Sequence, residues 1–183
     1  MKKLILSITA LSLLFASCSK TQDPFEVSKQ HVGLLTDSTL VKDLKTIFIN
    51  DSIAETFNDK GAWGVDKSIE IFDKAGQKLL ILNPEYKTDT TAVVKSIQII
   101  DPRYKTDKNI TTASTFKDIN SNYKISRIDN LINSVVVSVN DINASFTIDK
   151  KELPANIRFD MNLDIEAMHI PDNAKIKYFF INW

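Results

Sequence analysis

Ten residues near the carboxy end, from Ile157 to Glu166, alternate without a break. Ile157, Phe159, Met161, Leu163 and Ile165 are apolar, and Arg158, Asp160, Asn162, Asp164 and Glu166 between them are polar or charged. Successive side chains of a strand point to opposite faces, so this pattern predicts a half-buried strand; a helix would scatter the same residues around its axis. One strand needs others to pair with, and the chain supplies them. Ser68 to Phe72 and Lys78 to Leu82 flank a turn at Lys74-Ala75-Gly76 and read as a β-hairpin. Val93 to Ile100 reads as a strand ended by Asp101-Pro102, and Tyr123 to Ile128 and Ser134 to Val139 read as two more. Asn143 to Asp149 alternates, with Ala144, Phe146 and Ile148 on one face. Lys175 to Trp183 closes the chain and is apolar on both faces towards its end, so a helix or an oligomeric partner is expected to cover both sides.

Helical signals are fewer. Leu40, Val41, Leu44, Ile47 and Phe48 recur at three- and four-residue spacing and predict a helix from about Thr39, with Ser38 or Thr39 as its cap. A second start lies at Ser114-Thr115, where Asp118 three residues beyond Thr115 approximates a capping box. The stretch Asn58 to Asp66 reads as a loop, Gly61 and Gly64 bracketing Trp63. The expectation is an α+β domain: a largely antiparallel sheet of about eight strands with one or two helices packed on one face. One echo runs through it. Asp37-Ser-Thr-Leu-Val-Lys-Asp-Leu returns, one residue shorter, as Ala113-Ser-Thr-Phe-Lys-Asp-Ile, each copy ahead of a strand-rich stretch. Either the domain has two related halves, or a common helix-start chemistry arose twice; the commonness of Ser-Thr caps favours the second reading.

The amino terminus is of another kind. Lys2 and Lys3 precede an uncharged apolar run from Leu4 to Phe15, then Ala16-Ser17-Cys18, and Cys18 is the one cysteine of the chain. The run is shorter than the roughly 20 apolar residues a membrane span needs. It has the charged, apolar and small-residue regions of a cleaved signal. It resembles the lipobox of bacterial lipoproteins. That resemblance implies cleavage before Cys18 and acylation there, which anchors firmly once two or more chains are attached. It divides the chain into a signal peptide (1–17), a lipidated tether (18–24) and a single folded domain (25–183). Ser19 and Lys20 follow the cysteine with no Asp directly after it, which in Gram-negative sorting implies the outer membrane. Lys20 and Asp23 loosely match surface lipoproteins of Bacteroidota-type bacteria, leaving open whether the domain faces the periplasm or the cell surface. A lone cysteine also removes disulfide staples from the fold.

Charge and composition narrow the partners. Lys plus Arg and Asp plus Glu each number 23, no basic stripe is present, and nucleic acid is not an expected partner. The acidic row Asp160, Asp164 and Glu166 carries oxygen donors that suit a hard cation or a polyol, but one strand cannot surround an ion. A solvated face that discourages edge pairing is the plainer reading. Asp101-Pro-Arg-Tyr-Lys-Thr-Asp-Lys-Asn-Ile reads as a polar loop in which Arg103, Tyr104 and Lys105 could meet an anionic group. From Tyr104 to Ile119 the sequence also resembles a recurring segment of uncharacterised bacterial lipoprotein families, with Asn109 and Ala113 where glycines usually stand. Trp63 is either a sugar- or peptide-stacking aromatic or a plug over the core. His31 and His169 are far apart in sequence and Cys18 is taken by lipid, so no metal, cofactor or catalytic residue is assigned.

The expectation is a lipid-anchored, non-enzymatic envelope module that binds or scaffolds an envelope protein or glycan, with its oligomeric state open. Two alternatives stand beside it. One is a hydrolase of an envelope polymer or glycan using surface carboxylates such as Asp160 and Asp164, which would have to face each other across a cleft. The other is an inhibitor or assembly factor docking through a sheet edge, with the Tyr178–Trp183 aromatics as the place to look.

Overall fold

The computed structural model describes residues 22–59, 65–85 and 92–183. The leader, Cys18 and Trp63 lie outside the described residues. Two sheets share one core. A small sheet has the order β3 (Leu35–Thr36), β2 (His31–Val32), β1 (Glu26–Val27), β8 (Lys105–Thr106). The large sheet has eight strands. Its first half is a meander of β4 (Ser52–Asp59), β5 (Val65–Phe72), β6 (Lys78–Glu85) and β7 (Val93–Ile99). Its second half is a meander of β9 (Arg127–Asn130), β10 (Ser134–Val139), β11 (Ala144–Asp149) and β12 (Ile176–Asn182). The last strand of each meander pairs with the other, giving the order β4-β5-β6-β7-β12-β11-β10-β9, antiparallel throughout. A short helix α1 (Leu44–Ile47), led by a 3-10 turn at Val41–Asp43, precedes the first meander, and α2 (Phe116–Asn122) precedes the second. The class is the expected α+β sheet with two short helices.

The hairpin at Lys74-Ala75-Gly76 forms as its residues dictate. The Asp73 carboxylate accepts from the amides of Ala75 and Gln77, both at 3.0 Å, and Gly76 takes φ +78°, which a side chain would resist. One face of the large sheet is dry. Ile71, Leu80, Ile99, Phe179, Phe146 and Val137 run across it in register, all fully buried, and Phe146 stacks on Phe179 at 4.6 Å between ring centroids. The other face carries Glu70, Ile81, Gln98, Phe180, Ser145 and Ser138 in register, all half-buried and most of them polar, the alternation of a sheet wetted on one side.

The Ser-Thr echo marks two halves of one design, and the match needs no gap: residues 35–48 superpose in role on 110–123. Leu35 and Ile110 are buried equivalents, as are Leu44 and Ile119, and Phe48 and Tyr123. The Thr36 amide donates to Thr39 Oγ1 at 2.8 Å, and the Thr111 amide donates to Ser114 Oγ at 3.1 Å. Val41 N donates to Ala92 O and Phe116 N to Ala174 O, both at 2.9 Å, docking each helix start onto the strand that ends its meander. The bridges Leu40–Val93 and Thr115–Lys175 repeat the same step. If Ala92 corresponds to Ala174, Ile97 corresponds to Phe179 and Ile99 to Ile181. The seam pairs Ile97 with Ile181 and Ile99 with Phe179, so a two-fold rotation through the Gln98–Phe180 pair exchanges them. The expectation that the two starts arose independently gives way to this shared geometry.

Four sequence expectations are corrected. Residues 157–166 form turns and bends, although their alternation was the strongest in the chain. Ile165 is buried, but Phe159 is 82% exposed, so the apolar residues share no face. The reason is local. Asp160 Oδ1 accepts from the Asn162 amide at 2.9 Å, and Asn130 Nδ2 donates to the carbonyls of Asp160 and Leu163. Side chains thus take the backbone groups that a ladder would need. Strand β12 is dry on one face only: Phe179 and Ile181 are buried while Tyr178 is exposed. The predicted strand from Tyr123 begins only at Arg127, because Tyr123 caps α2 with its amide on the Ile119 carbonyl. The first helix is also shorter than its pattern, and the Thr39 hydroxyl serves the preceding turn instead of capping it.

Candidate binding site

Arg103 is the centre of a clamp. The loop after β7 turns on Asp101, whose buried carboxylate accepts from the Arg103 amide at 2.8 Å and from the guanidinium at 2.8–3.1 Å. The same guanidinium reaches Asp73 Oδ2 at 2.9 Å, on the β5–β6 turn, and lies 4.9 Å from the Phe25 ring centroid. Phe25 also meets Tyr104 edge-on at 5.1 Å. Arg103 therefore ties the segment before β1, the β5–β6 hairpin and the loop into one corner. Its hydrogen bonds hold the Asp101 carboxyl below the usual carboxylate range, while the Gln77 amide is the main cause that lowers Asp73. Tyr104 is buried, which pushes its phenol upwards. A cavity of about 140 Å³ lies among Phe25, Phe48, Asp73, Arg103 and Tyr104. With two carboxylates on its guanidinium, Arg103 is committed to structure. Lys105 stands apart from it, exposed on β8 beside Asp23, Glu26 and Asp107.

The acidic row does not gather. Asp160, Asp164 and Glu166 are all exposed on the irregular segment. No group of three or more potential metal ligands occurs among the described residues. Trp63 lies outside them.

The structure assembles a different site, from residues that form no motif in the sequence. The segment after β11 begins with a 3-10 turn at Lys150–Glu152 and folds back across the end of the sheet. Between it, the β9–β10 turn and the start of β12 is a groove of about 630 Å³. Four basic side chains line it, Lys150, Lys151, Arg158 and Lys177, against one acid, Asp149. Asp149 is already engaged: it accepts from the Lys151 amide, the main cause that lowers its pKa, and from Lys177 Nζ at 3.0 Å. Arg158 is fixed by donating to the carbonyls of Lys151 and Leu153 at 2.9 and 2.8 Å. Its enclosed Nε has no partner among the described residues. Lys150 is 4% exposed, and the contact of its ammonium is Met161 Sδ at 3.2 Å. Phe159, Met161 and Ile132, all exposed, give the same groove an apolar lip. The sequence signal was present in Lys150-Lys151 and Arg158, but the alternation assigned Arg158 to a solvated strand face.

No protein-family model matches the chain, and no curated protein matches it. Among solved structures it is similar to the uncharacterized protein yfeY from Escherichia coli, with a TM-score of 0.58 and 16% identity, covering 86% of this chain and 99% of that one. At that identity the likeness concerns the fold.

Proposed function

We propose that the protein is a lipid-anchored module of a bacterial cell envelope, held through Cys18, which binds a ligand in the groove beside Lys150 without transforming it. The anchor rests on the leader, Lys2 to Cys18, and its resemblance to a lipobox. The binding role rests on one observation, a concave site of about 630 Å³ that combines fixed cations with an apolar lip. Small-molecule sites have this size and this mixture of apolar wall and a few placed polar groups. The carboxylate in the groove, Asp149, is held ionised by its partners and so suits charge balance better than proton transfer. The hydrolase alternative draws less support, since Asp160 and Asp164 lie outside the groove lining and Asp101 is bound to Arg103. The sheet-edge alternative is weakened at its expected place, because Phe179 and Ile181 belong to the core and β12 is an interior strand.

The test is expression of the full chain and its Cys18→Ser variant in a Gram-negative host, followed by envelope fractionation and intact mass measurement. The reading expects the parent in the membrane fraction, lacking residues 1–17 and heavier by its acyl groups. A parent chain with a bare thiol, or with its leader retained, overturns the anchor.

A further inference from the structure

We infer that the groove between Lys150 and Lys177 takes a single-chain organic anion, a phosphate or carboxylate head carried on an apolar body, and that Lys150 is the residue that reads the head. This rests on the binding-module reading above and names the class of its ligand. Buried ammonium groups are costly unless an opposite charge accompanies them. Among the described residues no carboxylate pairs with Lys150, whose ammonium has only a thioether beside it. Lys151 and Arg158 add positive charge to the same wall, and Asp149 is balanced by Lys177, so the groove keeps an excess of cations. An anion entering it meets a lysine that is 4% exposed, in an enclosed setting where charge attraction is stronger than at an open surface. The lip of Phe159, Met161 and Ile132 supplies what inorganic phosphate cannot use, an apolar surface against which a short chain buries. The site is concave and the size of one small molecule, which favours a monomeric amphiphile over the plane of a bilayer.

The experiment is calorimetric titration of the full chain carrying Cys18→Ser, which takes no lipid. The probes are dodecyl phosphate and dodecanoate below their micellar concentrations, inorganic phosphate, the uncharged dodecyl maltoside, and vesicles of anionic phospholipid. The inference expects binding of both anionic amphiphiles, clearly weaker binding of inorganic phosphate and of the maltoside, and weakening by added salt. Lys150→Met is expected to lower affinity for dodecyl phosphate at least about tenfold, the size of one charge-assisted contact. Lys95→Gln, exposed on β7 and outside the groove lining, should leave affinity unchanged. The Met variant replaces a buried ammonium by an apolar chain of similar shape, so it should fold with the parent's stability. A second variant, Lys151→Gln, covers the case in which it does not. Equal affinity for the uncharged amphiphile, or parental affinity in both lysine variants, overturns the anion assignment and leaves the binding module standing. Binding to vesicles without binding to the monomers overturns the site as drawn, and silence from every probe removes the groove from the binding reading while the mass measurement on Cys18 still decides the anchor.

Discussion

The seam between the two meanders makes a quantitative claim about cooperativity, which Phe179→Ala tests. Phe179 is fully buried on β12, stacks on Phe146 at 4.6 Å and sits across from Ile99 of the other meander. Truncating a core phenylalanine costs about 3–5 kcal/mol, which includes the cavity left behind. Loss of the stacked pair, worth about 0.5–1.5 kcal/mol, places this site in the upper part of that range. In a domain of this size each kcal/mol moves the melting point by about 2–4 °C, so a fall of roughly 10 °C or more is expected. Urea denaturation followed by circular dichroism measures the total. Native-state hydrogen exchange then separates the halves, because amides of β5 and β6 report on the first meander and those of β10 and β11 on the second. If Ile97, Ile99, Phe179 and Ile181 weld both into one unit, the slowest amides of both lose the same free energy. Ile49→Ala, at a residue 78% exposed, is the control and should stay within about 0.5 kcal/mol. A loss confined to β9–β12, or a total below about 1.5 kcal/mol, would refute the single-core argument.

Gly33→Ala should destabilise strongly, since Gly33 has φ +56° and an added Cβ would meet the Pro24 carbonyl oxygen at 2.3 Å; Gly76→Ala, at φ +78° with nothing within 4 Å, should lose only the left-handed penalty of about 1–2 kcal/mol. Thermal melts of the pair check both. Thr39→Ala and Ser114→Ala remove equivalent hydroxyl acceptors, from the Thr36 and Thr111 amides, and should cost similar amounts of about 1 kcal/mol each in urea titrations. Asp101 has a native pKa below its ordinary 3.8, so the unfolded chain binds its proton first and the clamp's contribution is complete above 3.8. It disappears as pH falls from there through the lowered native value, so the acid limb of the parent's stability curve should flatten in Asp101→Asn.

What the sequence made legible was set by how locally each element is specified. The β5–β6 hairpin carries its turn chemistry within Asp73 to Gln77, and β11 carries an unbroken alternation whose Ala144, Phe146 and Ile148 are buried as expected. The small sheet was invisible because its strands have two residues each, too few for periodicity to register, and because β8 joins β1 from across the chain. Strand β4 was missed for a related reason: it lies at an edge of the large sheet, with Phe57 exposed and Ile53 only half-buried, so its sequence lacks an apolar face. Residues 157–166 failed in the opposite direction. Their pattern was ideal, but Asp160, Asn162 and Asn130 offered the backbone nearer partners than a neighbouring strand. Arg103 stands out in the sequence, but the two carboxylates that occupy it lie 2 and 30 residues away, and no local pattern announces the second of them.

The two-fold plan also explains why the groove lies where it does. Each half supplies a hydroxyl-braced turn, a short helix and a four-stranded meander, and these equivalent parts are taken up by the core. The halves diverge between the third and fourth strands. In the first, residues 86–92 join β6 to β7, whereas in the second the connection of β11 to β12 runs from Lys150 to Lys175. An insertion of that length has its ends fixed by strands already paired in the sheet, and lengthening a loop adds only slowly to its closure cost. Such a segment is free to carry side chains that the fold does not need. Lys150, Lys151, Arg158, Phe159 and Met161 all come from it, Asp149 is the last residue of β11 and Lys177 the second of β12. A buried lysine and an exposed phenylalanine are poor choices for stability, and both lie on the connection that is much longer in the second half than in the first. Their placement follows if stability is supplied by the duplicated scaffold and recognition by the departure from it.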